Sequence, residues 1–125
     1  MADRKRVLIA DDDPDLVELL RMDLGYQNYE VLVAVNGKEA LRMATTEPID
    51  VCLIDVMMPY IDGYHVAYEI GSKLGAKAPK VIIMTSRDTA KERGVALMSG
   101  ALSVIQKPFD MEQLHKLLEE TLAKA

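Results

Sequence analysis

The 125-residue chain has a single cysteine, Cys52, so no disulfide can form within it. That thiol lies inside the apolar run VCLI, where a small buried side chain is the expected reading and a redox or nucleophilic role is not. Long apolar runs are missing too: none approaches the roughly 20 residues that a bilayer span requires. The charged opening MADRKR is not followed by the apolar stretch of a secretory signal, so a cytoplasmic chain without membrane insertion is expected. Positive charge is also short, with 15 Lys and Arg against 20 Asp and Glu and a formal net charge of −5. That balance argues against direct nucleic-acid or anionic-membrane binding and suits a metal or a basic partner surface. The two histidines, His65 and His115, have no metal-ligand spacing to each other or to Cys52, which places both at a surface or boundary. No linker, repeat or low-complexity tract breaks the chain, and the stretch GAKAPK (75–80) reads as a surface loop, so residues 1–125 are expected to form one domain.

Five short runs rich in Val and Ile recur instead: RVLIA (6–10), EVLVAV (30–35), DVCLI (50–54), KVIIMT (80–85) and SVIQ (103–106). Each has strand length. Between them the apolar residues return at helical spacing, as in Val17, Leu20 and Leu24, and in Met111, Leu114, Leu118 and Leu122. Helix starts are marked by Asp13 before Pro14, Asn36 with Glu39, Thr89 with Glu92, and Asp110 with Gln113. Near-continuous apolar strands alternating with amphipathic helices predict an α/β fold, a parallel sheet covered on both faces. In such sheets ligands bind beyond the carboxyl ends of the strands.

Four strand ends carry chemistry. Asp11 and Asp12 follow the first run, Asp55 the third, Thr85 and Ser86 close the fourth, and Lys107-Pro108 follows the fifth. Three carboxylates gathered without a cation repel, and a hard divalent ion with oxygen ligands relieves that repulsion, which makes Mg²⁺ the candidate cofactor. Mg²⁺ bound by one or two carboxylates leaves room for phosphoryl oxygens, which a lysine and a hydroxyl can also hold. Asp55 stands alone at its strand end and is the candidate nucleophile for an acyl phosphate. Asp13, just before Pro14, is explained by helix capping, and the scattered methionines by core filling, with Met57 and Met58 set apart because their loop follows Asp55.

Taken together, VLIADDDPD, VCLIDVMMPYIDG, VIIMTS and GALSVIQKPFD resemble the receiver domain of two-component response regulators over essentially the whole chain. The resemblance implies a (βα)5 flavodoxin-like three-layer sandwich with a parallel five-stranded sheet in the order 2-1-3-4-5. It also implies that Asp55 is the phosphoacceptor, that Asp11, Asp12, Asp55 and the backbone carbonyl of Met57 bind Mg²⁺, and that Thr85 and Lys107 contact the phosphoryl group. A cis peptide before Pro108, aiming the lysine inward, belongs to the same pattern. The implied partners are a sensor histidine kinase or histidine phosphotransfer protein and a downstream protein target, and the implied chain is a signalling module rather than an enzyme. The end LEETLAKA shows no evident linker, which favours a free-standing receiver.

One position departs from the family pattern: Val104 stands where receivers commonly carry Tyr or Phe on the fifth strand. That departure puts the aromatic switch in doubt and keeps a phosphorylation-independent interaction module as an alternative. A phosphohydrolase of the haloacid dehalogenase type is a further alternative, because Asp11 and Asp13 offer its Asp-x-Asp pattern. That reading lacks a late acidic cluster and leaves Asp55 unexplained.

Overall fold

All five apolar runs become strands in the computed structural model: β1 Arg6–Ala10, β2 Glu30–Ala34, β3 Val51–Asp55, β4 Lys80–Thr85 and β5 Ser103–Gln106. The structure describes residues 4–124, so Met1–Asp3 of the charged opening and the terminal Ala125 lie outside the described residues. Every pairing is parallel and the order is β2-β1-β3-β4-β5, as the resemblance implies. Five helices complete the fold: α1 Pro14–Tyr26, α2 Gly37–Thr46, α3 Gly63–Leu74, α4 Thr89–Met98 and α5 Met111–Ala123. None of the described helices is long and apolar enough to cross a membrane.

The strands are apolar on both sides because both sides are covered. Leu8, Cys52, Ile54 and Ile83 pack in one core with Ala40 and Ala44 of α2, Val66 and Ile70 of α3 and Ala96 of α4. Val7, Ile9, Leu53, Ile82 and Met84 point the other way, onto Leu20 and Leu24 of α1 and Leu114 and Leu118 of α5. Strand residues alternate between the two clusters, as the two-residue period of a strand requires. Helices therefore lie on both faces and make three layers.

Capping places each helix start at the carboxyl edge of the sheet. Asp13 accepts from the backbone of Asp15 and Leu16, Asn36 from Glu39, and Asp110 from Gln113. At α4 the expected pairing of Thr89 with Glu92 does not form. Asp88 is the cap and accepts from Ala90 N, because its short carboxylate reaches the first turn, while Glu92 turns away to meet Tyr64. The cap of α3 is Asp62, which accepts from His65 N. The stretch 75–80, read as a loop, contains one 3-10 turn at Gly75–Lys77 before β4 begins. His115 lies at a boundary as expected, with its Nε2 against the Asp23 carboxylate of α1.

Two glycines let loops come close at the edge that matters. A Cβ on Gly63 would fall 2.4 Å from the carbonyl oxygen of Asp55, and one on Gly37 would fall 2.2 Å from that of Ile61. The first of these seats α3 directly against the end of β3. Gly63 N also donates to the Val56 carbonyl at 2.9 Å.

Candidate functional site

Parallel register brings the strand ends level. Ala10 pairs with Ile54, and Asp55 pairs with Met84, so Asp11, Asp55 and Thr85 all fall at one edge. Carboxylate oxygens of Asp11, Asp12 and Asp55 lie within 4.8 Å of one another. Asp11 is buried at 1 % exposure and Asp55 at 7 %, whereas Asp12 is exposed. The cluster thus has a closed floor and an open side.

Lys107 reaches this cluster from the turn after β5. Its Nζ lies 2.6 Å from Asp11 Oδ2 and 3.3 Å from Asp55 Oδ1, and the Lys107-Pro108 peptide is cis. The other oxygen of Asp11 accepts from Asp13 N at 2.9 Å. Both Asp11 oxygens thus have a partner, while Asp55 has only the longer contact to Lys107.

The charge count is uneven: three carboxylates face one ammonium. Burial, then the Asp11 charge, push the Asp55 carboxyl above its ordinary range, with Lys107 offsetting part of the rise and Asp12 adding to it. For Lys107 burial pulls the ammonium down, but its hydrogen bond and charge contacts with Asp11, joined by those with Asp55, outweigh that and leave it raised. The site holds its lysine charged and carries surplus negative charge on Asp55.

Such a set of hard oxygen donors fits a divalent cation of the Mg²⁺ kind, which needs few protein carboxylates and neutralises the surplus. Asp11, Asp12 and Asp55 are the side chains that could hold it. Met57 lies two residues beyond Asp55 in the loop 56–62 with an exposed side chain.

Thr85 is buried at 2 % exposure at the end of β4, and its hydroxyl oxygen accepts from Arg87 N at 3.0 Å. Beside Lys107 an open groove of about 440 Å³ runs between α1 and the β5–α5 turn, lined by Asp13, Leu16, Ser86, Pro108 and Phe109. It leads from solvent to the lysine.

Every side chain singled out for the site in the sequence comes to this edge, and Asp13 does not join it. Sequence reading missed three contacts: the anchoring of Lys107 on Asp11, the Arg87 bond to Thr85, and the Tyr64–Glu92 bond. The first could have been inferred from the shared edge, since one cation faces several anions there. The other two depend on the course of the β4–α4 loop and on how α4 sits against α3, neither of which carries a sequence period.

Comparison with known proteins agrees with this geometry. The response regulator receiver domain family matches residues 7–119. Response regulator MprA of Mycolicibacterium vanbaalenii is 38 % identical over 109 residues, 87 % of this chain and 46 % of that protein. MprA of Mycobacterium tuberculosis matches over the same shares at 38 % identity. The chain thus spans a little under half the length of the curated relatives it matches. Among solved structures, a CheY-like receiver domain protein from Methanospirillum hungatei superimposes with a TM-score of 0.87 at 26 % identity, covering 95 % of this chain and 94 % of that one. The response regulator TrrA of Thermotoga maritima, solved in complex with Mg²⁺-BeF, gives a TM-score of 0.83 at 32 % identity over 94 % and 98 % of the two chains. With five parallel strands in the order 2-1-3-4-5, an acidic cluster at their carboxyl edge and this match over most of its length, the chain belongs to the response regulator receiver domains of two-component systems.

Proposed function

We propose that residues 1–125 act as one phospho-accepting receiver, in which Asp55 takes a phosphoryl group from a phosphohistidine of a sensor kinase or phosphotransfer protein. The observation that carries this reading is the buried, under-neutralised Asp55 beside Lys107, at an edge that a groove opens to solvent. An Asp55 carboxylate oxygen forms the new P–O bond as the donor's P–N bond breaks, and the imidazole leaves with the electron pair of that bond.

Asp11, Asp12, Asp55 and the Met57 carbonyl would hold a Mg²⁺, which would supply charge neutralisation for the transferred group. Lys107, kept charged by Asp11, turns its remaining protons toward the phosphoryl oxygens. The Thr85 hydroxyl, which accepts from Arg87 N and keeps its own O–H as a donor, completes the cradle as it moves toward Asp55. Asp11 fixes the lysine, and the burial of Asp55 excludes bulk water from its far side.

The output surface lies on α4, β5 and α5. There a groove of about 350 Å³ is lined by Arg93, Leu97, Leu102, Val104 and Leu117, and Leu97 and Met98 are exposed beside it. A protein target is the fitting occupant of such an apolar face.

Val104 favours a second reading. It is half-buried and packed against the core, so β5 presents no ring to that groove. A phosphorylation-independent interaction module would bind its target equally with and without a phosphoryl group. The phosphohydrolase reading finds no support, since Asp13 is spent on the α1 backbone rather than facing Asp11 across a site.

Transfer from labelled, autophosphorylated sensor histidine kinases tests the proposal. Label reaching the wild type and not Asp55→Asn supports it; label reaching both, or neither across a broad kinase panel, counts against it.

A further inference from the structure

One hydrogen bond joins the element after the phosphoacceptor to the element after the hydroxyl residue. Tyr64 donates from its hydroxyl to Glu92 Oε1 at 2.6 Å, from the second residue of α3 to the first turn of α4. The α3 end is anchored on the end of β3. Gly63, immediately before Tyr64, is bonded to the Val56 carbonyl and packed so tightly on the Asp55 carbonyl that no Cβ would fit. Tyr64 thus follows directly on a residue anchored to the end of β3.

The other end belongs to a loop under two restraints. Residues 86–88 connect β4 to α4 and are exposed. At one side Arg87 N is held by the Thr85 hydroxyl oxygen at 3.0 Å. At the other, Glu92 is buried, with only 12 % of its side chain exposed, and it also faces the Arg87 guanidinium at 3.9 Å. The contacts run in series: Thr85 to Arg87, Arg87 to Glu92, Glu92 to Tyr64. Burial and then the bond to Glu92 raise the Tyr64 phenol well above its ordinary range, so it remains a donor at neutral pH.

The bond from Arg87 N ties the Thr85 hydroxyl oxygen to its own loop, while its O–H can still donate elsewhere. For that oxygen to move toward a group on Asp55, the Arg87 N–H bonded to it at 3.0 Å either follows it or is released, and in both cases the loop shifts. The loop leads straight into α4, whose first turn Glu92 anchors to Tyr64.

We propose that Tyr64 and Glu92 are positioning residues whose hydrogen bond holds the β4–α4 loop and Thr85 in the resting arrangement, and that this bond opens when Thr85 engages a phosphoryl group on Asp55. The inference rests on the assignment of Thr85 and Asp55 made above. It adds a stated cost of activation, set by a bond remote from the acidic cluster, and a route by which that cost reaches α4. Because a ligand shifts an equilibrium only by its differential affinity for the two states, weakening the resting state tightens binding of the phosphoryl group or its mimic.

The test is calorimetric titration of the whole chain with beryllofluoride in the presence of Mg²⁺. Tyr64→Phe keeps the ring and removes the donor, and it should bind about tenfold more tightly than the wild type, the low end of what a hydrogen bond to a charged acceptor carries. Glu92→Leu should match it, and the double variant should bind no more tightly than either single one. Glu92→Gln retains an acceptor for Tyr64 and should stay within roughly threefold of the wild type, since the exposed Arg87 contact it loses is weak. An unchanged or weaker affinity in Tyr64→Phe, even with a lowered melting temperature, would show a merely structural bond and overturn the proposal. Wild-type chain that takes up no beryllofluoride, or Asp55→Asn that takes it up equally, would overturn the functional assignment and this inference with it.

Discussion

The Lys107 ammonium is bonded to Asp11 at 2.6 Å, closer than its 3.3 Å approach to Asp55. Asp11 is thus both a candidate metal ligand and the holder of the lysine. The two roles compete for one carboxylate, and that competition can be measured. Lys107→Met leaves a buried carboxylate without its cation and should destabilise the chain by about 1–3 kcal/mol, below the full cost of a broken buried pair because the lysine is partly exposed. The same variant should bind Mg²⁺ more tightly than the wild type, since the metal becomes the sole counter-charge. Urea melts with and without Mg²⁺ check both parts.

Asp55 carries surplus negative charge that folding does not relieve. Asp55→Asn should therefore raise the melting temperature in EDTA by a few degrees, the scale of about 1 kcal/mol for a domain of this size. Adding Mg²⁺ should stabilise the wild type more than the variant and close the gap, because the variant has lost one ligand. Paired thermal melts read the effect.

Asp13 is structural. Its carboxylate caps α1, and the contact it makes to Asp11 is through its backbone N–H, which any side chain preserves. Asp13→Ala should cost about 1 kcal/mol of stability and leave phosphorylation of Asp55 intact. A loss of phosphorylation as complete as in Asp12→Ala would contradict that division.

Cys52 is fully buried in β3, and burial pushes its thiol up to about 12. Its folded-state value lies above the ordinary 9.0, so its contribution to stability is complete below that value and is lost as pH climbs toward 12. Above pH 9 the wild type should lose stability relative to Cys52→Ala, by up to about 1.4 kcal/mol per pH unit. At pH 8 the folded chain should resist thiol reagents until it unfolds. Denaturant melts across the alkaline range, with thiol labelling alongside, check both statements.

How far the sequence alone reaches follows from which features repeat. β1, β4 and β5 are found where their apolar runs lie, and β2 and β3 differ by one residue at their ends, because a strand buried on both faces leaves a continuous signal. Asp13, Asn36 and Asp110 cap as their spacing indicates. At α4 the spacing misled: Thr89 and Glu92 match a capping box, but Asp88 lies closer to the open amides and Tyr64 claims Glu92. Asp62-Gly63 before α3 carried a cap signal that went unused. The side chains at the site were legible because parallel strands deliver their ends to one edge. Which carboxylate holds Lys107 was not, since side-chain reach across 96 residues of separation leaves no period to read.

The central claim is that Asp55 accepts a phosphoryl group in a Mg²⁺-dependent step. Intact-mass spectrometry after incubation with a small phosphodonor such as acetyl phosphate tests it most directly. A single phosphoryl adduct in the wild type, abolished by EDTA and absent from Asp55→Asn, is the predicted result. No adduct in the wild type, or one that persists in Asp55→Asn, would contradict it.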